Sequence, residues 1–171
     1  PFEMQEKGGW ESREVVKAYV NFATTCFKEF GDLVFHWFTF NEPLGPVLGS
    51  YLEDFHYPNI IDFKRGAQAA FNTILAHAMA VKSFKELNLD SKIGVILNLS
   101  PTYPRSQNKW DVEAAEIVDA FYTKSFLDPM VKGTFNEKLV SILKEYDQMP
   151  EYTEDDLKII SENTSLFWQH L

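Results

Sequence analysis

Apolar residues recur at intervals of three and four from Val16 onward: Val16, Tyr19, Val20, Ala23, Cys26, Phe27 and Phe30 form one helical face. Ser12 stands where an N-cap is needed, with Glu14 in the first turn, and Gly31 stands where a left-handed cap would end the helix. The pattern then changes. Val34-Phe35-His36-Trp37-Phe38-Thr39-Phe40 is almost wholly apolar and aromatic, which predicts a strand buried on both faces, as in a parallel sheet. It closes at Asn41-Glu42-Pro43, because proline cannot donate to a ladder. Residues 1–11 read as a loop broken at Gly8-Gly9-Trp10.

The alternation repeats downstream. Residues 43–61 read as a long loop holding Gly45, Pro46, Gly49 and Pro58, with Tyr51, Phe55, His56 and Tyr57 among them. Such a loop either binds a ligand or packs over its own aromatics. Asp62 caps a helix whose buried face is Ala67, Ala70, Phe71, Ile74, Ala78 and Val81, ending near Leu87-Asn88. Residues 93–99 form a second buried strand ending in Asn98 and then Ser100-Pro101. Asp111 opens a helix with Ala114, Ile117, Val118 and Phe121, and Asp128-Pro129 ends it. Asn136 and Thr153, the latter with Asp156, cap two shorter helices. Leu166-Phe167-Trp168 begins a third strand. Helices alternating with strands imply an α/β fold with a parallel sheet and right-handed crossovers. The closure is an open doubly wound sheet or a barrel. Two or three strands complete neither, so the chain reads as a piece of a larger fold.

Composition narrows the function. The 171 residues suffice for one domain with a core, and an aromatic share of 15% favours a large core or a sugar-stacking site over disorder. A net charge of −9 argues against nucleic acid or an anionic membrane surface as the main partner. No apolar run is long enough to cross a membrane. Cys26 is the single cysteine, which excludes an internal disulfide and fits a reducing cytoplasm. In its apolar setting it reads as a small buried hydrophobe rather than a nucleophile. His56 has no second His or Cys at ligand spacing, and His36, His77 and His170 fall within predicted regular elements, so no metal is expected. There is no glycine-rich phosphate loop, and no cofactor is expected.

Two positions carry candidate chemistry. Glu42 follows the C-terminal end of a buried parallel strand, where α/β barrels place their active sites. On spacing alone it reads equally as a strand-end charge facing solvent. Asn98 sits at the corresponding end of the second strand, where an amide also commonly satisfies loop backbone.

Trp37-Phe38-Thr39-Phe40-Asn41-Glu42-Pro43 closely resembles the motif of glycoside hydrolase family 1. Gly8-Gly9-Trp10 with Arg13, Phe30-Gly31-Asp32, Ile93-Gly94-Val95 to Asn98, and Pro101-Thr102-Tyr103-Pro104 are similar to the same family. So are Asp111-Val112-Glu113-Ala114-Ala115 and Phe126-Leu127-Asp128-Pro129, and residues 51–58 look most like its 6-phospho-β-glycosidase branch. The resemblance implies a (β/α)8 barrel of which residues 1–171 are a partial catalytic domain, from just after the third strand into the sixth. It implies a retaining β-glycosidase acting on 6-phospho-β-glucosides or 6-phospho-β-galactosides in a bacterial cytoplasm. The alternatives are an unphosphorylated β-glucoside or β-galactoside as substrate, or a non-catalytic module that binds sugar or a partner. By resemblance Glu42 is the general acid/base, Asn41 bonds the sugar 2-hydroxyl, and Asn98 lies near the glycone. Retaining hydrolysis needs a second carboxyl about 5–5.5 Å from the first. The family's Glu-Asn-Gly nucleophile motif does not occur here, and Glu162-Asn163-Thr164, the nearest string, precedes a strand instead of ending one. The family's His at the end of the third strand is also missing. The chain alone is therefore expected to be inert, and to associate through exposed sheet edges.

Overall fold

A computed structural model of the chain describes residues 2–169. Its centre is a parallel sheet in the order β1 (His36–Asn41), β2 (Lys92–Leu97), β3 (Leu166–Gln169). The alternation predicted from the sequence is thus present, and each crossover carries helices. Ile93, Val95 and Leu97 of β2 are buried, and by the two-residue period they share one face. The helices lie on that face. Helix α4 (Phe63–Glu86) supplies Phe71, Ile74, Leu75 and Ala78, which meet Val95, Leu97, Phe126, Met130 and Ile160 in the main core. Further along α4, Ala80, Val81 and Phe84 pack with Ala23 and Phe27 of α2 (Arg13–Phe30) and with Ile93 and Trp37. Ala76, Ala78 and Ala80 of α4 are fully buried, and side chains this small let helix and sheet pack close. Each large aliphatic side chain sealed there contributes roughly 1.5–3 kcal/mol.

Caps hold these helices where the sequence placed them. Ser12 accepts from the Glu14 amide, Asp62 from Arg65, and Asn136 from Leu139 at the start of α7 (Glu137–Glu145). Thr153 and Asp156 form a reciprocal capping box on α8 (Glu154–Glu162). Asp156 also takes both terminal nitrogens of Arg13, at 3.1 and 2.8 Å, which ties the start of α8 to the start of α2.

Several expectations change. Residues 1–11 are not a loop: they hold α1 (Phe2–Glu6) and a 3-10 turn, Gly9–Glu11. The segment 43–61 contains α3 (Leu44–Tyr51). Its prolines misled because Pro46 sits in the first turn, where a helix leaves its N–H groups unbonded anyway. Gly31 is right-handed at φ −62°, and the glycine is needed for space, since a Cβ there would lie 2.8 Å from Leu89 Cδ1. Helix α5 (Lys109–Asp119) begins two residues earlier than expected, with Asn108 accepting from the Trp110 amide. Pro129 does not end the helical run. Wide turns at Ala120–Lys124 and Asp128–Lys132 flank the short α6 (Ser125–Leu127), and the end comes at Gly133, φ 73°. Cys26 is half-buried rather than buried. Strand β1 is not enclosed on both faces: Phe38 is 40% exposed, because among the described residues nothing covers the sheet opposite the helices. His170 lies outside the described residues.

Candidate active site

The site is built by an irregularity in β1. Phe38 lies opposite Gly94, but Asn41 lies opposite Ile96, so Thr39 and Phe40 together face one residue of β2. This is a β-bulge. Both bulged side chains engage the helix side. Thr39 Oγ1 is 2.7 Å from His77 Nδ1 on α4, and the Phe40 ring packs on Trp10 and Tyr19 at centroid separations of 5.3 and 4.7 Å. The extra residue flips the parity of the positions after it. Without it Asn41 would pair with Leu97 and share the buried face. With it Asn41 pairs with Ile96, is exposed, and belongs to the face away from the helices.

Glu42 comes next, at φ 48°. A residue with a side chain pays about 1–2 kcal/mol to stand in the left-handed region. Two backbone bonds hold it there. Its N–H donates to Ile96 O at 2.9 Å, and its carbonyl accepts from Gly45 N–H at 3.0 Å. The chain thereby turns from β1 into α3 within three residues. The Glu42 carboxylate is half-buried and has no hydrogen-bond or ion-pair partner among the described residues. Asn98 is exposed immediately after β2, two residues beyond Ile96. The three polar residues singled out from the sequence thus converge on one rim, the C-terminal ends of β1 and β2.

Glu162 does not join them. It is the last residue of α8, ahead of β3, and so belongs to the opposite end of the sheet. His56 is not aimed at the rim chemistry either: its ring lies against Phe55 at 4.8 Å, and the two rings leave no room for a side chain at Gly49. That part of the loop packs over its own aromatics. Tyr103, in the segment after β2, and Trp110, in the first turn of α5, are strongly exposed aromatics. Among the described residues no group of three or more His, Cys, Asp or Glu side chains is placed to hold a metal.

Sequence reasoning gave His77 no role. It is fully buried, with Nδ1 on Thr39 and Nε2 3.2 Å from Ser165 Oγ, just before β3. Burial pulls its pKa from 6.5 down to about 4, the Met130 carbonyl opposes the shift, and the charge of Lys85 adds to it. The ring is therefore neutral at neutral pH. Tyr19 is the second unforeseen member, donating its hydroxyl to the Thr39 carbonyl at 2.5 Å. Their sequence signal was only apolar periodicity on two helices. Chemically, the rim offers one carboxylate flanked by two amides. That set can move a proton at a sugar oxygen and bond sugar hydroxyls, and it lacks the second carboxyl of a retaining pair.

A family model described as glycosyl hydrolase family 1 matches residues 1–169. The chain is 54% identical over 164 residues to a 6-phospho-beta-glucosidase, GmuD, of Bacillus subtilis, covering 96% of this chain and 35% of that protein. It is 39% identical over 163 residues to beta-glucosidase A of Acetivibrio thermocellus, covering 95% of this chain and 36% of that one. A solved structure, the beta-glucosidase from Thermotoga maritima in complex with deoxynojirimycin, superposes with a TM-score of 0.89 at 32% identity, over 99% of this chain and 38% of that one. The chain thus spans about a third of the length of the relatives it matches.

Proposed function

The chain belongs to glycosyl hydrolase family 1, its sheet and helices being an arc of a (β/α)8 barrel, and on that premise we propose that the protein is a retaining β-glycosidase with Glu42 as its general acid/base. The observation that carries this reading is the bulge and left-handed turn that set Asn41 and Glu42 together on the strand rim. Residues 1–171 form part of the catalytic domain, about strands 4 to 6, and the nucleophilic carboxylate comes from outside them. In the first step that carboxylate bonds to the anomeric carbon as the glycosidic C–O bond breaks, and the Glu42 proton passes to the leaving oxygen. In the second, Glu42 as carboxylate takes a proton from water. The water oxygen bonds to the anomeric carbon and displaces the nucleophile. Asn41 bonds the sugar 2-hydroxyl, a contact that gains strength at the transition state, and Asn98 lies beside the glycone.

The substrate is a 6-phospho-β-glucoside or 6-phospho-β-galactoside. The 54% identity to a 6-phospho-beta-glucosidase, against 39% to a beta-glucosidase, favours the phosphorylated class. A sugar phosphate is charged and does not cross a bilayer unaided, so it stays in the compartment where it is made, which fits a cytoplasmic reaction. An unphosphorylated β-glucoside is the second reading, and the superposition on the Thermotoga maritima beta-glucosidase favours it.

The test is an assay of the protein with an aryl β-glucoside 6-phosphate and its unphosphorylated twin, each with a Glu42→Gln control. Retained anomeric configuration and dependence on Glu42 support the reading, and an inverted product overturns it. The 171-residue chain by itself should show no turnover above the control. Its uncovered sheet face and strand edges should make it associate, read as an apparent mass above that of a monomer on size exclusion.

A further inference from the structure

We infer that His77 is a positioning residue for Glu42 and acts through Thr39. The inference rests on the reading of Glu42 as acid/base. His77 sits on the buried face of α4, where its neighbours in the helix are Thr73, Ile74, Ala78, Ala80 and Val81. Filling that space needs no polar ring, and burying one costs free energy that an aliphatic side chain avoids. The imidazole instead ties down two hydroxyls on either side of β2: Thr39 of β1 at 2.7 Å and Ser165, just before β3, at 3.2 Å.

Thr39 is the first residue of the bulge, and three separate elements fix it. Its Oγ1 meets His77 of α4 and donates to Gly94 O of β2 at 3.2 Å, while its carbonyl accepts from Tyr19 of α2. A bulge is a local choice between two pairings one residue apart. Regular pairing would carry Asn41 to the helix-facing side and remove the turn in which Glu42 stands. Thr39 faces α4 in either pairing. The bulged one is selected by Phe40, which joins it on the helix side against Trp10 and Tyr19, and His77 anchors the Thr39 from which the bulge starts. The fully buried imidazole therefore fixes the start of the bulge that places the carboxylate three residues later.

A leaving-group comparison separates positioning from mere folding. A β-glycoside of 2,4-dinitrophenol needs no proton on its leaving oxygen, whereas the methyl β-glycoside does. Both are assayed, phosphorylated or not as the enzyme prefers, in the protein that carries this chain. Thr39→Val removes one hydroxyl at nearly constant volume. His77→Leu removes both ring bonds, and His77→Gln restores a group able to bond Thr39. Thr39→Val and His77→Leu should lower kcat/KM, which reports the first step alone, on the methyl glycoside about tenfold or more relative to the dinitrophenyl one, with His77→Gln recovering part of the loss. Misfolding lowers both substrates alike and leaves their ratio unchanged, and Thr39→Val carries the test if His77→Leu does not fold. An unchanged ratio in Thr39→Val overturns the inference. If Glu42→Gln also leaves the ratio unchanged, the acid/base reading itself has failed. If Glu42→Gln shifts it and Thr39→Val does not, only the positioning role has.

Discussion

On the helix-facing side of the sheet, Ile93, Val95 and Leu97 lie under α2 and α4, and the polar groups among them are matched: His77 by Thr39 and Ser165, Asn72 by the carbonyls of Trp10 and Glu11. Trp37 Nε1 is an exception, buried without a hydrogen-bond partner among the described residues. On the other side, Phe38 and Leu166 are 40% and 57% exposed, and Gly94 between their strands has no side chain at all. The two faces of one sheet therefore differ in what completes them. The first is closed by this chain's own helices and stores the geometry. The second, with its rim at Asn41, Glu42 and Asn98, carries the candidate chemistry and is left bare by the described residues. Folding information and reacting groups are separated by the thickness of one strand, and the bulge at Thr39-Phe40 is where they touch.

The largest effect belongs to the rim. Glu42→Gln should lower kcat/KM on a substrate with a poor leaving group by about 10²–10⁴-fold, the usual span for a removed general acid. Its unfolding midpoint should barely move, since the side chain bonds nothing in the described residues. A large loss of stability would mean that the rim is part of the closed face and would break the contrast. The closed face should show the reverse. Leu75→Ala, at a side chain 2% exposed, should cost about 4 kcal/mol in denaturant unfolding, the range for deleting a well-packed leucine. Phe38→Ala, at a ring 40% exposed, should cost about 2 kcal/mol, roughly half as much.

Local signals in the sequence proved readable, and relations between distant residues did not. Ser12, Asp62, Asn136 and Thr153 cap the helices their spacing predicted, because a cap depends on residues two or three positions away. The strands were readable for the same reason. Helix α3 was missed because two prolines and two glycines within seven residues look like breakers. The prolines are harmless because they stand at the N-cap and in the first turn, and Gly49, further in, is where the Phe55 and His56 rings leave no room for a side chain. The bulge was invisible, since register is a property of two strands. So was the work of His77, whose partners lie 38 and 88 residues away. Of the site, the position of Glu42 at a strand end could be read from Pro43 and the apolar run before it. The roles of Glu42, Asn41 and Asn98 came only with the family resemblance.

His77 also gives the closed face a pH dependence. Its folded pKa, about 4, lies below the ordinary 6.5. Above pH 6.5 the ring is neutral in both folded and unfolded chains, and the shift has no effect. Between pH 6.5 and 4 the unfolded chain binds a proton that the folded one refuses, so stability falls with falling pH. The loss approaches about 3 kcal/mol. Unfolding midpoints at pH 7 and pH 4.5 should therefore lie further apart for the unsubstituted protein than for His77→Gln, which has nothing to titrate. Equal differences would mean that water reaches this ring, and that the face is less closed than its burial implies.

The smallest effect sits at the edge of the same face. Thr153 accepts from the Asp156 amide at 3.2 Å, and Asp156 accepts from the Thr153 amide at 2.8 Å while also holding Arg13. Burial works to raise the Asp156 pKa, but the bonds from Arg13 and Thr153 outweigh it and hold the carboxyl below its ordinary value. Thr153→Ala should remove half of the box at a cost of about 1 kcal/mol. Helix α8 reaches the core through Ile160, 1% exposed. If α8 is merely laid against the closed face, the loss should stay local, seen as faster amide exchange in residues 154–157 with the exchange of α4 unchanged. If the face is one cooperative unit, protection across α4 should fall by the same free energy as the global midpoint. The second outcome is expected, because Ile160 lies in the same cluster as Leu75 and Val95, and a helix cannot leave that cluster without opening it.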